Sequence, residues 1–137
     1  MATMIKFRGI PLEDISSIDG VNFDGKFVYG NYAKNGDGAL IIGDVLEAEE
    51  DVFWPSWWVP VDPKTVGQFT GLKDVNGNEI YEGDILENRK YRSIVKFANG
   101  KFLADVVGTI SRFDLIGETH GSKVIGNVHT NPELLKG

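Results

Sequence analysis

Apolar and polar side chains alternate on both sides of Asn99-Gly100, and this period of two predicts a β-hairpin. A two-residue loop places Phe97 opposite Phe102 and Val95 opposite Ala104, which gives one mainly apolar face. We expect that face, including both phenylalanine rings, to point into the core. The other face is mixed and carries Arg92, Ile94, Lys96, Leu103 and Asp105. One buried and one wetter face is normal for an antiparallel strand pair.

Two further dipeptides, Asp24-Gly25 and Asn76-Gly77, also lie between strand-like runs. Type I′ turns need positive φ at both central positions, and Asn-Gly and Asp-Gly tolerate this best. We expect the Asn76-Gly77 hairpin to place Leu72 opposite Tyr81 and to leave Asp74 at a polar tip. No long segment has the period of 3.6 residues that marks a helix, so the pattern predicts a mostly antiparallel β protein.

The middle of the chain lacks this regularity. Three prolines argue against a long regular strand, namely Pro55, Pro60 and Pro63. We therefore interpret residues 44–64 as a loop that connects an N-terminal β region with a C-terminal one. The interpretation places a domain boundary near Thr65.

This boundary gives an irregular, β-rich N-terminal region (1–64), for which we consider a role in oligomerisation, and a C-terminal β domain (65–137). Near the end of the chain, Ser122–Thr130 is predicted to form one more strand. Asn131-Pro132 then predicts a short terminal helix, because Asn caps helices well and Pro is tolerated at the first helical position.

Composition adds little to this fold prediction but bears on function. Of the 137 residues, 42 % are hydrophobic and 25 % are charged, which is ordinary for a globular domain. The net charge of −6 belongs to residues 1–66, which hold five Lys/Arg and eleven Asp/Glu, whereas residues 67–137 hold nine of each. An acidic chain repels phosphate backbones, which counts against nonspecific nucleic-acid binding by the whole molecule.

The sequence also indicates a compartment. No apolar run approaches the roughly 20 residues of a membrane-spanning helix, and the first residues lack the apolar stretch of a signal peptide. There is no Cys, which excludes disulfides and thiolate chemistry in this chain. These features predict a cytoplasmic protein that is not associated with a membrane.

One segment carries a specific motif. It reads Gln68-Phe69-Thr70-Gly71-Leu72-Lys73-Asp74-Val75-Asn76-Gly77-Asn78-Glu79-Ile80-Tyr81-Glu82-Gly83-Asp84-Ile85. Three other pieces accompany it: Ile5-Lys6-Phe7-Arg8, Phe27-Val28-Tyr29-Gly30 and the closing run 124–135. Together these pieces resemble the YopX family of small bacteriophage and prophage proteins. The resemblance touches both ends and the middle of the chain.

The resemblance has consequences for fold and setting. It implies that the all-β chain contains a C-terminal SH3-like antiparallel β-barrel, which follows a less regular β-rich N-terminal part. It also implies a phage or prophage gene and hence a bacterial cytoplasm. The biochemical function of the family is not established, so the resemblance implies no catalytic residue.

Candidate catalytic groups are few. Glu82 and Asp84 would lie on one side of a strand, which is the arrangement of an acid/base pair. Asp84 also suits hydrogen bonding to the backbone amides of a tight turn. We favour this structural role for Asp84. The loop from Asp74 fails the spacing of a calcium loop, and the two histidines, His120 and His129, have no metal-ligand spacing. We predict that the chain is not an enzyme and holds no metal or cofactor.

Two binding surfaces remain. The cluster of Trp54, Trp57 and Trp58 follows the acidic stretch Glu47–Asp51. Exposed tryptophans are frequent at interfaces, whereas buried ones would close the N-terminal part of the core. The cluster therefore predicts either a protein-binding or self-associating surface, with a host or phage protein or a second copy as partner, or part of the core.

The alternative function is nucleic-acid binding by a small β-barrel. Several cations lie close together in the sequence, interleaved with aromatic residues: Arg89, Arg92, Lys96 and Lys101 are the candidate contacts. Small barrels bind nucleic acid through basic grooves and stacking rings. A solvated strand face explains the same pattern.

Overall fold

The computed structural model describes residues 6–15, 18, 20–43, 45–49 and 52–135. Antiparallel β-sheets make up most of it, which confirms the all-β prediction. The chain forms two compact units, Met1–Gln68 (unit 1) and Phe69–Gly137 (unit 2). The division falls shortly after Thr65.

Unit 1 contains seven strands and the beginning of an eighth. They are β1 (Phe7–Gly9), β2 (Phe23–Asp24), β3 (Phe27–Asn35), β4 (Gly38–Ile42), β5 (Val45–Glu49), β6 (Val52–Pro55), β7 (Trp58–Val61) and β8 (Gly67–Lys73), with a 3₁₀ turn at Pro63–Thr65. The main sheet has the order β7-β4-β3-β1, and β2 pairs with β3. The turn between β2 and β3 consists of Gly25 and Lys26, one residue later than the predicted Asp24-Gly25, because Asp24 pairs with Phe27. β1 also pairs with the first residues of β8.

The core of unit 1 lies on one face of this sheet. Alternate residues of the central strands supply it, because side chains one residue apart in a strand point to opposite faces. Its buried members are Val28, Ala39, Ile41, Trp57, Val59 and Val61.

Residues 44–64 are not the loop that we predicted, since they contain β5, β6 and β7. β5 and β6 pair with each other, and β7 pairs with β4. The carbonyl oxygen of Pro60 accepts the N–H of Leu12, so the side of Pro60 that lacks an N–H points away from β4. The proline therefore removes no hydrogen bond from the β4–β7 ladder, and the strand tolerates it.

Unit 2 is built from six further strands and two short helical segments, in addition to the rest of β8. These elements are β9 (Glu79–Tyr81), β10 (Asp84–Glu87), β11 (Arg92–Ala98), β12 (Lys101–Val106), β13 (Arg112–Asp114), α1 (Leu115–Glu118), β14 (Lys123–Asn127) and a 3₁₀ turn at Pro132–Leu135. Five strands form one sheet in the order β13-β12-β11-β10-β14. The last strand and the terminal helical turn were both predicted.

The predicted register of the β11–β12 hairpin is confirmed, with Phe97 opposite Phe102 and Val95 opposite Ala104. Asn99 and Gly100 have φ of 54° and 80°, as a type I′ turn requires. Val95 and Ala104 are buried in the core of unit 2, but the ring of Phe97 is 52 % exposed. The prediction that Phe97 lies in the core is wrong because the hairpin extends beyond the core at its turn.

The pairing of β8 with β9 also differs from the prediction. Phe69, not Leu72, lies opposite Tyr81, and the register shifts between Phe69 and Lys73. Gly71 has φ of 83° in this irregular stretch, and the hydroxyl of Thr70 donates to the carbonyl of Ile80 at 2.7 Å. Between these pairs β8 advances four residues and β9 two, so β8 contains two extra residues, and they displace the pairing beyond them.

The five-stranded sheet ends at β13 on one side and at β14 on the other among the described residues. Its hydrogen bonding thus does not close a barrel in that part of the chain. The main apolar cluster of the unit contains Ile80, Leu86, Val95 and Leu115, which come from four different elements.

Candidate functional site

The outer face of the unit 1 sheet carries an apolar strip. Trp58 lies opposite Ile42 on the neighbouring strand, and Pro60 lies opposite Leu40. Ala33 continues the strip on β3, because it lies opposite Leu40 from the other side. Residues directly opposite each other in a sheet have side chains on the same face. These five residues are called the Trp58 face below.

Exposure distinguishes this strip from a normal outer face. Along β7, Val59 and Val61 are buried, whereas Trp58 and Pro60 point outward. The Trp58 side chain is 58 % exposed, and Leu40 and Ile42 are half-buried. An outer sheet face is usually polar, and a contiguous exposed apolar patch that contains Trp is typical of an interaction surface.

The three tryptophans do not form one surface. Trp57 is 8 % exposed and belongs to the core of unit 1, whereas Trp58 is exposed. Trp54 lies in β6, and its side chain is outside the described residues, as are the side chains of the acidic stretch Glu47–Asp51. The core interpretation of the tryptophan cluster therefore applies to Trp57, and the surface interpretation applies to Trp58.

A cleft of about 290 Å³ lies in unit 1, and Trp57 is one of its lining residues. The cleft forms where β4 ends, at Ile42 and Gly43. A Cβ atom added to Gly43 would lie only 2.4 Å from Nε1 of Trp57 and 2.4 Å from Oγ of Ser56. The glycine therefore lets the turn before β7 pack against the end of β4, and this close packing shapes the cleft.

Asp74 holds the turn between β8 and β9 together. Its carboxylate is buried and accepts the backbone N–H groups of Asn76, Asn78 and Val124, each at 2.8 Å. Burial acts to raise the pKa of Asp74, but the hydrogen bonds, led by that from Val124, outweigh it and hold the pKa below its usual value. Asp74 is thus a structural group that joins the turn to β14, not the exposed tip residue that we expected.

One of the two carboxylates considered for acid/base chemistry, Asp84, has a similar role. Asp84 is 2 % exposed, and its Oδ2 accepts the N–H of Tyr81 at 2.8 Å. This bond confirms the prediction that Asp84 satisfies backbone amides of the turn before β10. Glu82 is half-buried in the same turn.

The cations of the proposed nucleic-acid face are largely engaged with carboxylates. Arg92 pairs with Glu87 at 2.9 Å and also donates to the carbonyl of Leu134 at 2.9 Å. Lys96 and Lys101 form ion pairs with acidic residues of the neighbouring strands, Asp105 at 3.3 Å and Asp114 at 2.8 Å. The fourth candidate, Arg89, lies exposed in the loop between β10 and β11.

Asp105 is the centre of this arrangement. Arg112 donates two hydrogen bonds to its carboxylate, at 2.6 and 3.1 Å. These hydrogen bonds outweigh burial and hold the pKa of Asp105 below its usual value, with Lys96 as a smaller contributor. The strand face therefore carries neutralised pairs and does not present the row of cations that a phosphate backbone needs.

The described residues lack two other classes of site. They contain no group of three or more His, Asp or Glu side chains that is placed to hold a metal ion. Within the same residues, no helix has both the length and the hydropathy required to span a bilayer.

Comparison with known proteins places the chain in a family. The family model described as YopX protein matches residues 21–136. The chain belongs to the YopX family. The crystal structure of protein EF1440 from Enterococcus faecalis is similar to it, with a TM-score of 0.53 and 25 % sequence identity over 98 % of this chain and 100 % of that chain. No curated protein matches the chain.

The structure explains why the YopX-like motif is specific. Its residues form β8, β9 and the start of β10, and two of its acidic residues, Asp74 and Asp84, hold the turns between these strands. The motif is therefore a folding signature of unit 2. Sequence reasoning missed the contributions of Leu40 and Ile42 to the Trp58 face, because the continuous apolar run of β4 does not show which residues point outward.

Proposed function

We propose that this YopX chain is a non-enzymatic protein-binding module that acts through the Trp58 face, and that a second copy of the chain is its first partner. The observation that carries the proposal is the 58 % exposure of Trp58 within a contiguous apolar strip. Burying a large aromatic side chain at an interface contributes more binding energy than most other contacts. A partner that covers this face would remove Trp58 and Pro60 from water.

The absence of catalysis is part of the proposal. It is supported by the positions of the two buried carboxylates, Asp74 and Asp84, whose oxygens accept backbone N–H groups of turns. A general base needs a free lone pair within reach of a substrate proton. A carboxylate oxygen that accepts the N–H of a turn has less lone-pair capacity for a substrate proton.

We further propose the setting in which the module works. The YopX family match supports a phage or prophage accessory protein in a bacterial cytoplasm, with a host or phage protein as a further partner.

We also propose that unit 2 is SH3-like. Four consecutive strands form a meander, and the last strand returns beside the first after a short helix, which is the strand order of SH3-like folds.

A contact across unit 2 supports the SH3-like assignment. The rings of Tyr91 and Phe113 stack with centroids 5.9 Å apart at an interplanar angle of 20°. Tyr91 precedes β11 and Phe113 belongs to β13, with β12 between these strands in the sheet. Curling of a sheet brings together rings that are two strands apart, as in barrel-like folds.

Light scattering after size-exclusion chromatography tests the function. We expect the wild-type chain to have a mass above that of one chain, and Trp58→Glu to run as a monomer because a buried charge without a partner opposes association. Phe97→Glu is the matched control, since Phe97 is similarly exposed (52 %) but lies in unit 2. A wild-type mass of one chain at all concentrations, or equal loss of association in both variants, would contradict the proposal.

Nucleic-acid binding remains the second candidate from the sequence, and no observation favours it over protein binding. If Lys96 contacted phosphate, Lys96→Glu would weaken binding and flatten its salt dependence. We expect instead no measurable difference between Lys96→Glu and the wild type in a DNA titration at physiological salt, because Lys96 already pairs with Asp105.

A further inference from the structure

A second cleft, of about 280 Å³, lies in unit 2. Three chain segments supply its walls: the turn after β8, the end of β10 with the loop that follows it, and the residues that lead into β14. The lining residues are Val75, Glu87, Asn88, Arg89, Gly121 and Lys123. The volume is at the small end of the range for ligand sites, so the cleft suits a single chemical group and not a large molecule.

Hydrogen bonds tie the three walls together. The N–H of Val75 donates to the carbonyl of Ser122 at 3.1 Å, which joins the turn after β8 to the start of β14. Glu87 and Lys123 lie opposite each other in the ladder between β10 and β14. The positions of the walls are therefore set by the fold of unit 2, and little has to be ordered when a ligand arrives.

The loop that carries Arg89 is also fixed. The side-chain oxygen of Asn88 accepts the backbone N–H groups of Lys90 and Tyr91, at 2.8 and 2.9 Å. The N–H of Asn88 donates in turn to the carbonyl of Tyr91 at 3.0 Å. This closed turn holds the backbone of Arg89 beside the cleft, while the exposed Arg89 side chain keeps the freedom to adapt to a ligand.

The charges of the lining do not cancel. The carboxylate of Glu87 forms an ion pair with Arg92 at 2.9 Å, and Arg92 is not a lining residue. Arg89 and Lys123 are both exposed, and neither side chain forms an ion pair or a hydrogen bond with any residue that the structure describes. Two cations without a carboxylate partner therefore line one small space.

Other charged groups of unit 2 are satisfied within the fold. Asp74 directly precedes the lining residue Val75, and its buried carboxylate accepts backbone N–H groups of the turn and of β14. The strand cations Lys96 and Lys101 form ion pairs with acidic residues of neighbouring strands. The two cations of the cleft have no such partner, and this difference marks the cleft as a site for an anion.

We propose that this cleft binds one phosphate group, as inorganic phosphate or as a small phosphomonoester, through Arg89 and Lys123. A phosphomonoester carries about two negative charges near pH 7, which two cations match. The planar guanidinium of Arg89 donates two parallel N–H groups to phosphate oxygens, and the ammonium of Lys123 adds a compact charge. The Val75 side chain is 56 % exposed, so it offers an apolar contact to the organic part of an ester.

The proposal is independent of the Trp58 face, because the cleft lies in unit 2 and that face lies in unit 1. It also differs from the nucleic-acid interface considered above. That interface requires a row of free cations along the strands, whereas the cleft requires only the two cations that line it. Self-association, nucleic-acid binding and phosphate binding can therefore succeed or fail separately.

Nuclear magnetic resonance tests the proposal on the full chain at about pH 7, where phosphomonoesters are mostly dianionic. Inorganic phosphate, phenyl phosphate and acetate are each titrated at constant ionic strength, with sodium chloride as the balancing salt. We expect saturable shifts of the Arg89 and Gly121 amides with both phosphates, and about tenfold weaker binding of acetate because it carries one charge. Phenyl phosphate should bind about threefold more tightly than inorganic phosphate, because its ring covers part of Val75. The tighter of the two identifies whether the cleft takes an ester or the free ion.

Two variants and one matched control make the result specific. Arg89→Gln and Lys123→Gln each remove one charge and should each weaken phosphate binding about tenfold. Lys90→Gln removes an exposed cation of the same loop that does not line the cleft, so its affinity for phosphate should equal that of the wild type. All three positions are exposed, so we expect the variants to keep the fold.

Several results would overturn the proposal. They are shifts that do not saturate, equal affinities for acetate and phosphate, and an equal loss of affinity in Arg89→Gln and Lys90→Gln. A single-stranded oligonucleotide that binds more tightly than phenyl phosphate, and that Lys96→Glu weakens, would replace the single-group site with a nucleic-acid interface. Trp58→Glu should lose self-association and keep the phosphate response, so the failure of one hypothesis is distinguishable from the failure of the other.

Discussion

Both units consist of antiparallel sheets, but the outward-facing side chains of their strands differ in chemistry. In unit 2, cations of the sheet pair with carboxylates of adjacent strands, as Lys96 and Arg112 do with Asp105. In unit 1, the outer face of β7 and β4 is apolar, and the unit holds an excess of six negative charges. Unit 2 also exposes single apolar side chains, Ile110 and Ile116 among them, whereas the exposed apolar residues of β7 and β4 in unit 1 lie side by side. On the function proposed above, contact with partners belongs to unit 1.

The largest effect is expected from the turn of unit 2. Asp74→Ala removes the charged acceptor of three backbone N–H groups, of which that of Val124 belongs to a half-buried residue, and should lower the free energy of unfolding by about 3 kcal/mol. Urea unfolding followed by far-ultraviolet circular dichroism measures the loss. Asp114→Ala is the control, because this exposed carboxylate should contribute less than about 0.5 kcal/mol. Equal losses in the two variants would show that Asp74 does not organise the turn.

A smaller loss is expected from overpacking in unit 1. Gly43→Ala would force a Cβ atom to within 2.4 Å of the Trp57 indole and should cost about 2 kcal/mol. All three tryptophans lie in unit 1, so tryptophan fluorescence follows its unfolding specifically. Gly117→Ala, with no atom within 4 Å of the added Cβ, should leave the fluorescence transition unchanged. A Gly43→Ala transition that coincides with that of the wild type would show that this contact relaxes freely.

The stability of unit 2 should also depend on pH through Asp74. The pKa of Asp74 is lower in the folded chain than in the unfolded chain, so its ionised form stabilises the fold. That contribution is fully present above the unfolded pKa of about 4 and is lost as pH falls through the folded pKa. The difference in stability between wild type and Asp74→Asn, measured by urea unfolding, should therefore shrink from pH 6 towards pH 3. A constant difference would contradict the assignment.

The smallest effect is expected from the exposed ion pairs of unit 2. Both partners of the Lys101–Asp114 pair are more than half exposed, at 56 % and 59 %. Lys101→Ala should therefore change the unfolding free energy by less than about 0.5 kcal/mol in thermal or urea unfolding. A loss near that of Asp74→Ala would mean that the charged strands, and not the turn, carry the stability of unit 2.

The sequence predicted unit 2 better than unit 1 for physical reasons. The turn at Asn99-Gly100 fixes the register of β11 and β12, because few other dipeptides adopt positive φ at both positions. Alternation could not show that Phe97 lies beyond the end of the core, since burial depends on what covers a strand. At β8, the irregularity near Gly71 places Phe69, and not Leu72, opposite Tyr81. A bulge has no reliable signal in a single sequence.

Unit 1 was harder to predict because its prolines were misleading. Pro60 occurs in a strand where its missing N–H points away from the neighbouring strand, and only the pairing of β7 with β4 reveals this. The sequence presents the three tryptophans as one cluster and does not show which of them are buried. Trp57, which directly precedes β7, is buried in the core, whereas Trp58, the first residue of β7, is exposed. The cleft beside Trp57 has no sequence motif, since its lining comes from five separated segments.

Quenching of a single tryptophan tests the account most directly. In the Trp54→Phe/Trp57→Phe double variant, Trp58 is the remaining fluorophore, and acrylamide quenching can be compared between dilute and concentrated protein. The account predicts that Trp58 is quenched freely in dilute solution, as its 58 % exposure requires, and becomes protected as concentration rises. Free quenching of Trp58 at every concentration would contradict self-association through this face.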